Sequence, residues 1–288
     1  MVPIFYSLNQ EQANAFNLVL NASGIGNRVV RSNGGFRIDV PEPYADAARD
    51  AIHRYQAENP NAEEWAPASH SQPTRKNLSG VAVALLLLSI HLAVSASSAP
   101  EDYLAVFGAN ARRILNGEVY RCATALVLHA DAAHIAGNMA GIVLFGGAVC
   151  MVAGTGVGWL MVLGSGIVGN LINALAYETG HLSVGASTAV FGAVGILCAF
   201  QAVNAAKTGR GWKRTALAFG SGAALLAFLG TSARSDMGAH LFGFICGALI
   251  GGAHRLWMRQ PLGMQGQVIC GIIAASTILL CWVWGVAN

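Results

Sequence analysis

Charge is what this 288-residue chain has least of. Only 11% of its residues are Asp, Glu, Lys or Arg, against roughly a quarter in an ordinary soluble domain, and its mean hydropathy is +0.50. That deficit excludes a soluble enzyme of ordinary composition and predicts a polytopic membrane protein. The 17 basic and 14 acidic residues gather in the first 80 positions and in a few short clusters beyond. No basic face or nucleic-acid motif emerges, so no nucleic-acid partner is expected. Paired cysteines are also lacking. Cys122, Cys150, Cys198, Cys246, Cys270 and Cys281 are scattered singly, with no CxxC and no Cys/His spacing suited to zinc. They read as small packing residues in helices, and neither a metal nor a cofactor is expected. The N-terminus lacks a basic segment followed by an apolar one, so no cleaved signal peptide is expected. Insertion then falls to the first internal span.

What is present begins with residues 1–57, which carry the periodicities of a small soluble α+β domain in the order βαββα. Ile4-Phe5-Tyr6 is a strand candidate, and Ala13, Phe16, Val19 and Leu20 share one helical face. Phe36, Ile38 and Val40 alternate as in a half-buried strand, after Ser32-Asn-Gly-Gly35, a sequence suited to a hairpin turn. Tyr44, Ala48, Ile52 and Tyr55 fall at helical spacing. Residues 58–79, with three prolines and no apolar period, predict a flexible linker.

A membrane-crossing helix needs about 20 apolar residues. Charge-free runs in the domain 80–288 place seven spans at about 80–98, 134–153, 157–177, 184–204, 214–231, 237–255 and 267–286. Basic residues at Arg75-Lys76, in 207–214 and in 255–259 fall on the side of the soluble domain, which the positive-inside rule makes cytosolic. Arg112, Arg113 and Arg121 lie on the other side, in a 101–131 loop expected to have structure of its own at the membrane surface.

Polar residues inside spans are costly and therefore functional candidates. Ser187 stands about four residues into span four and His240 about four into span six, and both spans run from outside to inside, so the two lie at a similar depth. A serine hydroxyl becomes nucleophilic beside a base, and a partly desolvated imidazole suits that task. Small residues surround both, with Gly185, Gly192 and Gly195 on one span and Gly243 and Gly247 on the other, which permits close helix approach. Ordinary small-residue packing, with the serine bonded to its own helix, explains the same pattern. His134 and Asn138, at i and i+4, share a face at the start of span two. They suit binding of a developing oxyanion, interfacial hydrogen bonding, or half of a metal site. Asp236, at i−4 from His240, reads as a helix N-cap in preference to a third catalytic group.

Together the segments 117–138, 185–195 and 239–247 resemble the rhomboid family of intramembrane serine proteases, over most of residues 80–257. Four motifs stand in register: Tyr120-Arg121 in the first loop, His134-Ile-Ala-Gly-Asn138 on span two, Gly185-Ala-Ser187 on span four, and Ala239-His240-Leu-Phe-Gly243 on span six. The resemblance implies an all-α polytopic fold, a rhomboid-like six-helix bundle plus one C-terminal helix, with the small α+β domain cytosolic as in some bacterial members. It implies Ser187 as nucleophile and His240 as general base in a dyad, with an oxyanion hole of His134, Asn138 and the Ser187 amide. Phe191 would pack on the catalytic imidazole and His129 would join the polar network admitting water, with Gly185, Tyr120 and Arg121 in support. The implied activity is endopeptidase cleavage of single-span membrane proteins, near the outer face of the cell (inner) membrane, through an acyl-enzyme. The N-terminus would be cytoplasmic and the C-terminus periplasmic or extracellular. A non-proteolytic relative that binds transmembrane helices is the alternative, and the intact dyad argues against it. Three positions depart from the family pattern. Thr188 replaces the usual glycine, Tyr120 stands for the commoner Trp, and Gly146–Cys150 lacks a glutamate many members carry.

Overall fold

The computed structural model describes residues 1–32, 35–59, 77–177, 182–207, 211–230, 236–258 and 261–287. The chain forms two compact units, residues 1–75 and 76–288. Most of the expected linker, the middle of the 32–35 turn, Arg75-Lys76 and parts of the two later basic clusters lie outside the described residues.

In the first unit, β1 (Val2–Leu8), α1 (Gln10–Ala22), β2 (Arg28–Ser32), β3 (Gly35–Val40) and α2 (Ala45–Glu58) follow the βαββα order read from the sequence. The sheet order is β1-β3-β2, antiparallel throughout. Ile4, Leu8, Ile38 and Val40 close against Phe16, Leu20, Ala48 and Ile52 to form its core. A capping box starts α1: Asn9 Oδ1 accepts from the Gln12 amide at 2.8 Å, and Gln12 Oε1 accepts from the Asn9 amide at 3.0 Å.

The second unit is a helical bundle. It begins with α3 (Ser79–Ser95), followed by the first-loop elements α4 (Pro100–Phe107), β4 (Ala109–Asn110), α5 (Ala111–Leu115) and α6 (Arg121–Thr124). One continuous helix, Ala132–Ala153, contains α7 (Ala132–Gly141), a π-helical turn at Ile142–Gly146 and α8 (Gly147–Ala153). Then come α9 (Thr155–Ala176), β5 (Leu182–Ser183), α10 (Ser187–Lys207), α11 (Gly211–Gly230), α12 (Met237–Trp257) and α13 (Met264–Ala287). Among the described residues, five helices, Ala132–Ala153, α9, α10, α12 and α13, are long and apolar enough to cross a membrane. Expected spans one and five fall on α3, apolar but only 17 residues long, and on α11.

The centre of the bundle is α10, with 67% of its apolar window buried, whereas α13 at the periphery has 6%. Apolar side chains gain little from facing one another instead of lipid, so close packing of small residues decides which helices touch. The glycines show this. A Cβ at Gly243 would run into the Thr188 carbonyl, one at Gly247 into the Gly192 carbonyl, and one at Gly195 into the Phe244 carbonyl. Helices α10 and α12 therefore meet backbone to backbone. Gly154, at φ +88, makes the sharp turn between α8 and α9. Trp159 Nε1 donates to Ser79 Oγ at 3.0 Å and ties α9 to α3.

Candidate active site

The site is built where the 182–187 segment crosses the starts of α7 and α12. The charge-free run predicts Ser187 about one turn inside a helix; instead α10 begins at Ser187 itself. The residues before it cannot be helical, because Ser183 and Leu182 pair with Ala109 and Asn110 and Gly185 adopts φ +121. The Ser187 hydroxyl and amide therefore project from a helix N-terminus, where backbone N–H groups have no intrahelical acceptor.

Ser187 Oγ lies 2.8 Å from His240 Nε2. The imidazole is buried, and the Phe191 ring, one turn after the serine, lies 4.6 Å from it at an interplanar angle of 31°. Position 240 is fixed from outside the Ser187–His240 pair. Asp236 Oδ1 accepts from the Ala239 amide at 3.0 Å as the N-cap of α12, and Asp236 Oδ2 accepts from Asn173 Nδ2 of α9 at 2.8 Å.

Across the turn, Asp131 caps α7 by accepting from the His134 amide at 2.8 Å, which sets the first-turn position of that histidine. A Cβ at Gly185 would stand 2.5 Å from His134 Nε2 and 3.1 Å from Asn138 Nδ2. Both side-chain nitrogens thus converge beside the backbone two residues before the serine. Asn138 Nδ2 is buried and makes no hydrogen bond among the described residues. A buried donor left unpaired is costly, and its position beside Ser187 suits an acceptor brought by a ligand.

His129 has a structural task as well as a polar one. Its Nε2 accepts from the Ala186 amide at 3.4 Å, so the ring proton resides on Nδ1. Burial, reinforced by the neighbouring His134 and His91, pushes its pKa down to about 3. The ring centroids lie 5.3 Å from His134 and 6.4 Å from His91. Among the described residues no group of three His, Cys, Asp or Glu is placed to hold a metal ion.

Tyr120 and Arg121 stand away from the Ser187–His240 pair and organise the first loop. Arg121, almost fully buried, donates to the carbonyls of Ala105 at 2.7 Å and Gly108 at 3.1 Å, and to Glu118 at 2.6 Å. Tyr120 Oη donates to Glu118 at 3.2 Å, and the Arg121 guanidinium lies 5.5 Å from its ring centroid. Burial pushes the Glu118 carboxyl up, but Arg121, Tyr120 and Arg113 outweigh it and leave the pKa lowered. Thr124 Oγ1 donates to the Phe107 carbonyl at 2.7 Å.

Two contributors, Asn170 and Asn173, went unread in the sequence, and a third, Thr188, was noted there without its packing role. Thr188 is buried with its methyl where α9, α10 and α12 meet, since a Cβ on Gly169 would fall 2.9 Å from Thr188 Cγ2 and 2.9 Å from Gly243 Cα. The departure from glycine there fills a three-helix junction. Asn170 Nδ2 donates to the Cys122 carbonyl at 2.9 Å, and Asn173 reaches Asp236. Two asparagines within a charge-free span were signals of the same kind that singled out Ser187 and His240.

The family model for the Rhomboid domain matches residues 116–256, which contain every one of these side chains except His91, Ala105, Phe107, Gly108, Ala109, Asn110 and Arg113. YdcA of Bacillus subtilis, a rhomboid relative, is 31% identical over 137 residues, covering 48% of this chain and 67% of that protein. The chain belongs to the rhomboid family of intramembrane serine proteases. Other rhomboids align over smaller shares of their length. Rhomboid-like protease 2 of Toxoplasma gondii is 30% identical over 152 residues, 48% of this chain and 51% of its own. Rhomboid protease GluP of B. subtilis is 33% identical over 113 residues, 39% of this chain and 22% of its own. As a rhomboid with several apolar helices of spanning length, this is a multi-pass membrane protein. Its first unit and α13 lie outside the matched residues.

Proposed function

We propose that this rhomboid cleaves transmembrane segments of single-span proteins with Ser187 as nucleophile and His240 as general base. The observation that carries the reading is the 2.8 Å contact between Ser187 Oγ and His240 Nε2. His240 Nε2 takes the hydroxyl proton as Oγ attacks the scissile carbonyl carbon. The negative charge then forms on the carbonyl oxygen, where the Ser187 amide, His134 Nε2–H and Asn138 Nδ2–H can donate to it. Collapse of the tetrahedral intermediate breaks the C–N bond, and His240 returns its proton to the leaving amine. Water, deprotonated by the same imidazole, hydrolyses the Ser187 ester. With Asp236 engaged as a helix cap, the machinery is a dyad.

Orientation follows from charge placement. The first unit is proposed to be cytoplasmic, in a cell (inner) membrane, with the C-terminus on the opposite side and cleavage near the outer face. The basic residues Lys213, Arg214 and Arg255 then fall on the cytoplasmic side.

The test is cleavage of a model transmembrane substrate in liposomes by wild type, Ser187→Ala and His240→Ala. Both variants are expected to lose at least about 10³-fold in kcat/KM. Cleavage persisting in either removes that residue from the dyad. A folded wild type that binds the substrate without cutting it supports the helix-binding alternative.

A further inference from the structure

Helix α13 gains little by burial, and in lipid it has no hydrophobic reason to sit against the bundle. It is held by specific contacts near its two ends. At one end, Gln267 Oε1 accepts from the Val157 amide at 3.0 Å and Gln267 Nε2 donates to the Ala153 carbonyl at 3.0 Å, across the Gly154 turn. At the other, the Trp282 ring stacks on Phe107 with centroids 4.0 Å apart and planes at 28°. Gly285 lets the helix come close there, since a Cβ would stand 2.5 Å from Phe107 Cε1 and 2.8 Å from Tyr120 Cε2.

Phe107 leads directly toward the nucleophile. At the next residue, Gly108, a Cβ would be 2.7 Å from Leu182 Cδ1 and 3.1 Å from Val184 Cγ1. Ala109 and Asn110 then form the ladder with Ser183 and Leu182. Val184 packs in one cluster with Phe107, Tyr120, Leu128 and Trp282. Gly185 donates its amide to the Ala125 carbonyl at 2.9 Å, and Ser187 follows two residues later. The turn that aims the Ser187 amide and hydroxyl is thus clamped by β4, and β4 is continuous with the ring on which Trp282 rests.

We propose that Trp282 is a positioning residue for the protease reaction: through Phe107 and the β4–β5 ladder, α13 holds the 184–186 turn in the geometry that presents Ser187. The inference rests on Ser187 being the nucleophile. A brace acting on this turn affects the chemical step and leaves substrate access alone, so its loss lowers kcat with KM retained.

The experiment uses the full chain with Trp282→Ala, Trp282→Leu and Trp282→Phe, and Leu279→Ala on the exposed face of the same helix as control. Four quantities are measured: kcat and KM for a transmembrane substrate, the rate of Ser187 labelling by a small fluorophosphonate, and amide hydrogen exchange over residues 182–187. The Ala and Leu variants are expected to lose about tenfold or more in kcat with KM within about twofold. Labelling slows in parallel, and exchange over 182–187 quickens about tenfold, while Trp282→Phe and Leu279→Ala behave as wild type. The Leu variant, which keeps apolar bulk without the stack, decides the matter if the Ala variant does not fold. Unchanged exchange over 182–187, an unchanged kcat, or a rise confined to KM overturns the brace. If Ser187→Ala still cleaves, the dyad fails, and the exchange measurement alone still decides whether Trp282 holds the turn.

Discussion

At Gly185 the backbone turns with φ +121, and a methyl group there would stand 2.5 Å from His134 Nε2. Gly185→Ala is therefore both strained and obstructive. It is expected to reduce cleavage by at least about 10²-fold, a loss comparable to removing one oxyanion donor, and kinetics on the purified folded variant check it. Asn138→Ala, which removes the unpaired Nδ2 donor, is expected to lower kcat by about 10²-fold with little change in KM. A change in KM alone would assign Asn138 to substrate binding. Asp236 separates a cap from a triad member. Asp236→Asn keeps the cap acceptor and is expected to stay within about tenfold of wild-type activity, whereas an aspartate orienting a catalytic histidine costs about 10⁴-fold when so replaced. At this scale the sequence was legible for side chains with chemistry of their own. Ser187, His240, His134 and Asn138 were named from residue type and spacing. The φ of Gly185 was not, because an apolar run carries no mark of where helical dihedrals begin. The Arg121 contacts were equally hidden, since the carbonyls it meets at Ala105 and Gly108 belong to no particular residue type.

Elements are positioned here by glycine as much as by apolar surface. Helices α10 and α12 touch through Gly192, Gly195, Gly243 and Gly247, so a single β-branched replacement must separate them. Gly247→Val is expected to push the helices apart, lengthen the 2.8 Å Ser187–His240 contact, and abolish cleavage while lowering thermal stability. Differential scanning fluorimetry beside the cleavage assay checks it. Helix positions were readable from charge-free runs, and the glycine rows foretold close approach. Which helix each row would face was not readable. Thr188 meets Gly169, from a span that the spacing argument never paired with α10, and Asn173 finds Asp236 at 63 positions' separation. The first loop illustrates the other limit. Its mixed charges marked it as extramembrane, but the ladder joining 109–110 to 182–183 is two residues long and has no periodicity to detect.

For the whole molecule, pH is a global probe of a buried histidine. His129 is neutral in the folded protein because its pKa is pushed to about 3, whereas the unfolded chain binds that proton near the ordinary 6.5. The unfolded state therefore gains protons first as pH falls. The stabilisation is complete above pH 6.5 and is lost as pH drops from 6.5 toward 3. Wild type is expected to lose melting temperature across that window, and His129→Gln to lose less of it. Parallel curves for the two proteins would remove His129 as the cause. The central claim is that Ser187 is activated by His240, and the rate of covalent capture at Ser187 tests it most directly. A fluorophosphonate is expected to label the folded wild type at Ser187, located by peptide mass spectrometry, and to label His240→Ala at least about 10²-fold more slowly. Equal labelling rates in the two proteins, or capture at another residue, would contradict the account.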